Sequence, residues 1–408
     1  MSNQDLLAAS GIRSDHPSST PRPGADHAGR ISPTLSGHGG STIRSSHAWL
    51  DGGIQPAGFT IEDQGSVPGG GQCAPGSRDA DGCIVWPHGG RGPGGRPQFD
   101  QTVPPGGYLW WYLDAISDDG QYGLTIIAFV GSVFSPYYAL RRARHSAGKV
   151  PDALPDDFCC LNVALYHKGS NRWAMTERGS QFCSRTADHF QIGPSAMRWV
   201  GDSLHIDIHE VTVPIPRKIL GTIVVHPQTL FDFSTPLDPS GRHRWGPLAP
   251  GARVEVALSS PAQSWQGHAY LDSNEGDEPI DRPFKEWDWS RSVLKDGSVA
   301  VLYDLQYKKG PDHLLALRFH PDGKLSTFEA PPRVELKPTA WRISRRMRSS
   351  SAVALVSQLE DTPFYQRCIL QSQLLGEDVL SFHETLSVPR LVSPIVQAML
   401  PWRMPRRS

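Results

Sequence analysis

Most of the short signatures that betray enzyme chemistry are missing from this chain. It has no G-x-S-x-G elbow and no P-loop. Nor is there a G-x-G-x-x-G between a strand and a helix, so nucleotide-dependent chemistry has no support. C-x-x-C pairs are absent as well. The six cysteines (Cys73, Cys83, Cys159, Cys160, Cys183 and Cys368) suit buried or free thiols in a reducing cytosol rather than a zinc site. Neither sign of charge dominates, since 40 Lys+Arg face 41 Asp+Glu, which leaves no global basic field for nucleic acid. Long apolar runs are lacking: the longest, Leu124 to Phe134, falls well short of the ~20 residues a spanning helix needs. The opening MSNQDLLAASGIRSDHPSSTPRPG has no basic stretch followed by an apolar one, so no secretory signal is expected.

What is present divides by texture. With 408 residues the chain has room for two domains and a tail. Residues 1–95 are rich in Gly, Pro, Ser and Asp, as in GSVPGGGQCAPGSRDADG, and offer too little apolar surface to offset ordering; a disordered tail is expected. From residue 98 onward short apolar runs alternate with turn signals. CCLNVALYH, SLHIDIHEV, ILGTIVVHP, SVAVLYDLQY and HLLALRFH are examples, broken at Lys168-Gly169, Gly201-Asp202 and Pro321-Asp322-Gly323. Many short strands with few helical periods indicate an all-β sandwich or barrel.

A repeat refines that expectation. Trp110-x-Tyr112 followed by Asp119-Gly120 matches Trp287-x-Trp289 followed by Asp296-Gly297 at the same spacing, and an apolar strand follows each. Two related β units are expected, 96–262 and 263–385, with a ligand pocket favoured where they meet. The last segment, 386–408, carries an apolar face (Leu391, Ile395, Val396, Met399, Leu400), then Trp402 and the arginines 403, 406 and 407. It fits a segment lying on an anionic membrane surface, and equally a terminal helix docked on the β core.

Two clusters of polar residues invite chemistry. His205-x-Asp207-x-His209 would align on one face of a strand but span about 13 Å, too long for one ion, so no metal and no cofactor is expected. RHRWGP places His243 and Trp245 two residues apart, and WQGHAYLDSNEGDEP places Tyr270 and Asp272 likewise. Facing one cavity, these four would supply an imidazole, an indole, a phenol and a carboxylic acid, a set suited to protonating an unactivated double bond. Asp272 would then need a pKa raised by burial or by like charges, with Glu275 and Asp277 as candidates. The alternative is a solvated acidic turn, which Asn274 and Gly276 favour.

HRWGPLAPGARVEVAL, WQGHAYLDSNEGDEPI and FKEWDWSR, with WWYLDAISDDG before them and LPWRMPRRS after, resemble the bacterial acyclic carotenoid 1,2-hydratases, also called hydroxyneurosporene synthases, of purple photosynthetic bacteria. The resemblance runs from about residue 98 to the C-terminal segment and leaves the first hundred residues outside it. It implies two lipocalin-like β-barrel domains. It also implies cofactor-independent addition of water to the terminal C1–C2 double bond of neurosporene or lycopene. In that scheme Asp272 protonates C2, Trp245 and Tyr270 face the cation at C1, and His243 orients the acid or accepts a proton from water. The expected partners are the carotenoid, water and a membrane surface, with a cytoplasmic enzyme bound peripherally through its C-terminal segment. The competing expectation is a lipocalin-like carrier of carotenoids or other apolar ligands, which would need the aromatic walls but not the acid.

Overall fold

The computed structural model describes Ser77–Arg78, Ile84–Val85, Arg96 and residues 98–407. The expected disordered tail therefore lies outside the described residues, apart from Ser77–Arg78 and Ile84–Val85, which pair as two short antiparallel strands. Among the described residues no helix is long and apolar enough to cross a membrane.

The first sheet begins with β1 (Tyr108–Ser117), β2 (Tyr122–Val130), β3 (Cys159–His167) and β4 (Arg172–Arg178). It continues through β5 (Cys183–Arg185), β6 (His189–Ile192), β7 (Ser195–Val200), β8 (Ser203–Val211) and β9 (Lys218–Pro227). Two long strands, β10 (His243–Ser260) and β11 (Ala262–Gly276), end it. Their order across the sheet is β4-β3-β2-β1-β11-β10-β9-β8-β7-β6-β5. The second sheet comprises β12 (Phe284–Val293), β13 (Val299–Tyr307), β14 (His313–Phe319) and β15 (Leu325–Thr327). After a separate hairpin of β16 (Arg333–Leu336) and β17 (Arg345–Arg348), β18 (Ala354–Asp361), β19 (Tyr365–Leu374) and β20 (Glu377–Ser387) complete it. Its order is β15-β14-β13-β12-β20-β19-β18.

The all-β class is borne out. The pairing runs as two open, antiparallel paths rather than two closed barrels. The first sheet nevertheless curls on itself, because Arg178 of β4 reaches Glu210 of β8 at 2.8 Å inside the fold. Residues 263–276, expected to open the second unit, lie in β11, hydrogen-bonded to both β10 and β1. The last strand of the first unit returns beside its first strand, so sheet membership changes only after Gly276.

Both repeated hairpins turn in the same way. Gly120 (φ 68°) donates its N–H to Ser117 at 2.8 Å, and Gly297 (φ 82°) donates to Leu294 at 3.0 Å. A side chain at either position would strain this left-handed backbone. The strand that precedes the first turn is buried on both faces. Leu109, Trp111, Leu113 and Ala115 pack inside the curl of the first sheet, while Tyr108, Trp110 and Tyr112 point between the sheets. The strand period of two thus sends alternate residues to two different cores. Each large side chain so buried contributes roughly 1.5–3 kcal/mol.

Helices complete the fold. α1 (Pro136–Ser146), not apparent from the apolar pattern, is capped by Ser135, whose hydroxyl accepts from the Tyr138 N–H at 2.9 Å. After the short α2 (Val388–Leu391), α3 (Pro394–Arg403) packs Val396 and Leu400 into the core between the sheets. β21 (Arg406–Arg407) then pairs in parallel with β4, tying this segment back to the first sheet.

Candidate active site

The two sheets meet on their aromatic faces around a cavity of about 920 Å³. Trp110 and Tyr112 of β1 line it from one side, and Trp287 and Trp289 of β12 from the other. Both copies of the repeated aromatic pair therefore face one space. Tyr112 and Trp289, which are equivalent in the repeat, meet edge-on with ring centroids 5.6 Å apart.

Asp272 lines this cavity. The segment around it is strand, not a solvated turn, with Asp272 directly opposite Tyr112 of β1. Its Oδ2 accepts hydrogen bonds from Trp245 Nε1 at 2.8 Å and from the Tyr270 hydroxyl at 2.9 Å, while Oδ1 is buried without a partner. Burial pushes the carboxyl up to about 8; the two hydrogen bonds pull it down, and the charges of Glu384 and Asp114 add to the rise. At neutral pH the group is an uncharged acid. With Oδ2 accepting twice, Oδ1 is the oxygen left to carry the proton. Glu275 and Asp277, expected to supply the like charge, instead hold Arg244 at 2.6 and 2.8 Å.

Trp245, Tyr270 and Asp272 are brought together as expected, but His243 is not. Trp245 lines the cavity and stands edge-on to Tyr303, centroids 5.5 Å apart. Tyr270 is fully buried behind the acid, against Trp289 and Tyr112, and does not line the cavity. It reaches the site through its hydroxyl rather than its ring face. His243 lies opposite Gly276 in the strand register, whereas Pro247 lies opposite Asp272. Its Nδ1 is 2.8 Å from the Tyr108 hydroxyl, its ring packs against Phe284, and it does not line the cavity. Burial lowers its pKa, so the ring is neutral at pH 7.

A second carboxyl group escaped the sequence reading. Glu384 lines the same cavity, and its Oε1 accepts from the Tyr112 hydroxyl and from Arg367 Nε, both at 2.7 Å. Arg367 also bonds Glu360 at 3.0 Å. Beside them, Asp114 is ion-paired with Arg291 in full burial, Nε to Oδ1 at 2.9 Å. The repeat was the signal that could have found the last pair. Asp114 follows Tyr112 by two positions and Arg291 follows Trp289 by two, so the pair joins equivalent sites of the two units.

Asp207 of the His-x-Asp-x-His stretch is engaged by Arg198 and by Thr222. Among the described residues no group of three or more His, Cys, Asp or Glu side chains is arranged to hold a metal ion.

Fold and site together define an all-β protein whose two sheets, the first of them curled, flank an aromatic cavity lined by one uncharged carboxylic acid. Comparison with known sequences places it further. The family model described as carotenoid hydratase CrtC matches residues 126–408, and the chain belongs to that family. It is 54% identical over 386 residues to the acyclic carotenoid 1,2-hydratase of Rubrivivax gelatinosus, covering 94% of each chain. With the enzyme of the same name from Thiocapsa roseopersicina it shares 45% over 404 residues, 98% of each chain. Against that of Rhodobacter capsulatus the identity is 35% over 287 residues, 69% of this chain and 98% of the other. Among solved structures, a putative AttH from Nitrosomonas europaea is similar in fold, with a TM-score of 0.50, 13% identity, and 69% and 92% of the two chains covered.

Proposed function

We propose that this protein is a cofactor-independent hydratase that adds water across the terminal C1–C2 double bond of acyclic carotenoids such as neurosporene and lycopene, giving 1-hydroxy tertiary alcohols. The names of its relatives support the substrate class. The observation that carries the mechanism is Asp272: an uncharged acid lining an aromatic cavity, with Oδ1 buried and unpartnered. Its proton passes from Oδ1 to C2 and leaves a tertiary cation at C1. A general acid works best with a pKa near the working pH, which burial provides here. Trp245 and the aromatic pairs of β1 and β12 offer ring faces to the cation, each worth ~0.5–2 kcal/mol. As Asp272 becomes a carboxylate, the bonds from Trp245 and Tyr270 become charge-assisted, so they strengthen along the reaction. His243 acts at a distance in this scheme, fixing Tyr108 and the start of β10.

The test uses purified protein with lycopene in liposomes, in D₂O and without added cofactor. The expected product is a tertiary alcohol bearing one new carbon-bound deuterium. Asp272→Asn should lower its formation by ~10²–10⁴-fold and leave lycopene binding intact. Tight binding by the wild-type protein with no alcohol formed would overturn the hydratase reading in favour of a carrier.

The opening of the cavity supports work at a membrane surface. Ile215, Trp341, Met399 and Trp402 line the cavity and are nonetheless 66%, 47%, 43% and 74% exposed. Arg217 and Arg403 stand exposed among them. An apolar, tryptophan-bearing rim with arginines suits an anionic lipid surface from which a polyene end can enter. α3 serves both roles considered for it, since Val396 and Leu400 dock inward while Trp402 and Ile395 face out. Replacing Ile215 and Trp402 together with serine should reduce sedimentation with anionic vesicles several-fold; unchanged binding would remove the rim as the contact.

A further inference from the structure

We infer that Glu384 is the base that takes the proton from the attacking water, so that the reaction is divided between one carboxyl group from each sheet. This rests on the hydratase reading above and deepens it. Two observations and one chemical requirement converge on Glu384, beginning with its place in the repeat. Tyr112 and Trp289 are equivalent positions; on the neighbouring strand Tyr112 is opposite Asp272, and Trp289 is opposite Glu384. Asp272 and Glu384 are thus the same site of the two units, facing the same cavity from opposite sheets.

The second observation is the partner set. Asp272 is held by two neutral donors, an indole and a phenol, and by no cation. Glu384 is ion-paired with Arg367 and accepts from Tyr112, both on Oε1. Oε2 is the oxygen left for a water. One group is therefore suited to give a proton and the other to receive one.

The third is chemical need. Water added to a C1 cation gives a protonated alcohol, which must lose its proton before the product leaves. The steps balance as follows. The C1=C2 π pair takes the Asp272 proton to form a C2–H bond; a lone pair of water forms the C1–O bond; the displaced water proton goes to Glu384. The proton on Glu384 then returns to Asp272 through solvent, and one molecule of water has been added with no electrons exchanged. Without a base the cation has another exit: it can lose a proton from C2 and revert to the alkene.

That branch supplies the test. Wild type, Asp272→Asn and Glu384→Gln are each given lycopene in D₂O, and mass spectrometry follows both the alcohol and the deuterium gained by recovered lycopene. Glu384→Gln should form alcohol at least ~tenfold more slowly while still exchanging deuterium into lycopene, raising the ratio of exchange to hydration by a similar factor. Asp272→Asn should lose both. The ratio does not depend on the fraction of protein folded, so a merely structural role for Glu384 would lower both rates and leave it unmoved. An unmoved ratio, or loss of both reactions with lycopene still bound, overturns the inference. Should Glu384→Gln not fold, Glu384→Asp withdraws the carboxylate by one methylene and must raise the same ratio by a smaller factor; no rise there overturns it equally. Failure of the wild type to make alcohol would instead sink the hydratase reading itself.

Discussion

The two sheets of this protein are built on one plan and put to different uses. In each, four successive strands run outward from the first, and the last three return on its other side, so that first and last strands are neighbours. In each, an aromatic–x–aromatic pair on the first strand faces the shared cavity, and a carboxyl group sits opposite the second aromatic on the last strand. The difference lies in what surrounds that carboxyl group. In the first sheet it meets an indole and a phenol and stays protonated; in the second it meets a guanidinium. Under the proposed mechanism, a duplicated backbone position carries opposite proton-transfer characters, set by one or two neighbours. The sheets also differ in extent: the first continues through β5–β8 and curls, and the second is a short cover for the first sheet's aromatic face.

The largest expected effect on this comparison comes from the ion pair that joins equivalent positions, Asp114 and Arg291. Both are buried, so Arg291→Met leaves an unpaired carboxylate between the sheets and should cost ~3–5 kcal/mol in urea unfolding. The exposed pair Arg253–Asp118 is the contrast: Arg253→Met there should cost under ~1 kcal/mol.

Next is the pH profile. The proposed mechanism requires protonated Asp272, whose pKa is raised to about 8 chiefly by burial. kcat/KM should therefore be lost as pH rises through that value, falling about tenfold per unit above it as the acid ionises. A flat profile between pH 7 and 10 would break the assignment of the first sheet as the acid side. The smallest expected effect is on the position of that limb. The Trp245 hydrogen bond favours the ionised form, so Trp245→Phe should move the limb upward, by about one unit. A downward move would mean that the indole does not hold the carboxylate.

Most of the strands could be read from the sequence because their alternation survives: β8 alternates half-exposed and buried residues along SLHIDIHEV. The repeat was legible too, and it placed Trp110, Tyr112, Trp287 and Trp289 correctly as a related set. Asp272, Trp245 and Tyr270 were found through their spacing and family resemblance. His243 was grouped with them because two-residue spacing says which side of a strand a residue occupies, but not how far along it its partner lies. β19 and β20 were missed, and Glu384 and Arg367 with them. From Ser381 to Ser387 every residue of β20 is buried, polar ones included, so SFHETLS shows no apolar alternation to read. Its polar groups are satisfied by residues remote in sequence, such as Asp288 for Thr385 and Tyr112 for Glu384. α1 was hidden by basic residues on its exposed side.

The return of β21 to β4 has a bearing on how the molecule is made. α3 forms one wall of the cavity, and Arg406, held on Glu177 and on the Asp157 carbonyl, fastens the strand that follows it. These residues leave the ribosome after every other wall of the cavity has been synthesised. Domains tend to fold as units during synthesis, at ~5–20 residues per second. The α3 wall is therefore the last part of the cavity to be synthesised. An apolar molecule meeting the chain before that wall docks would face an open trough, whereas one arriving later must pass the rim.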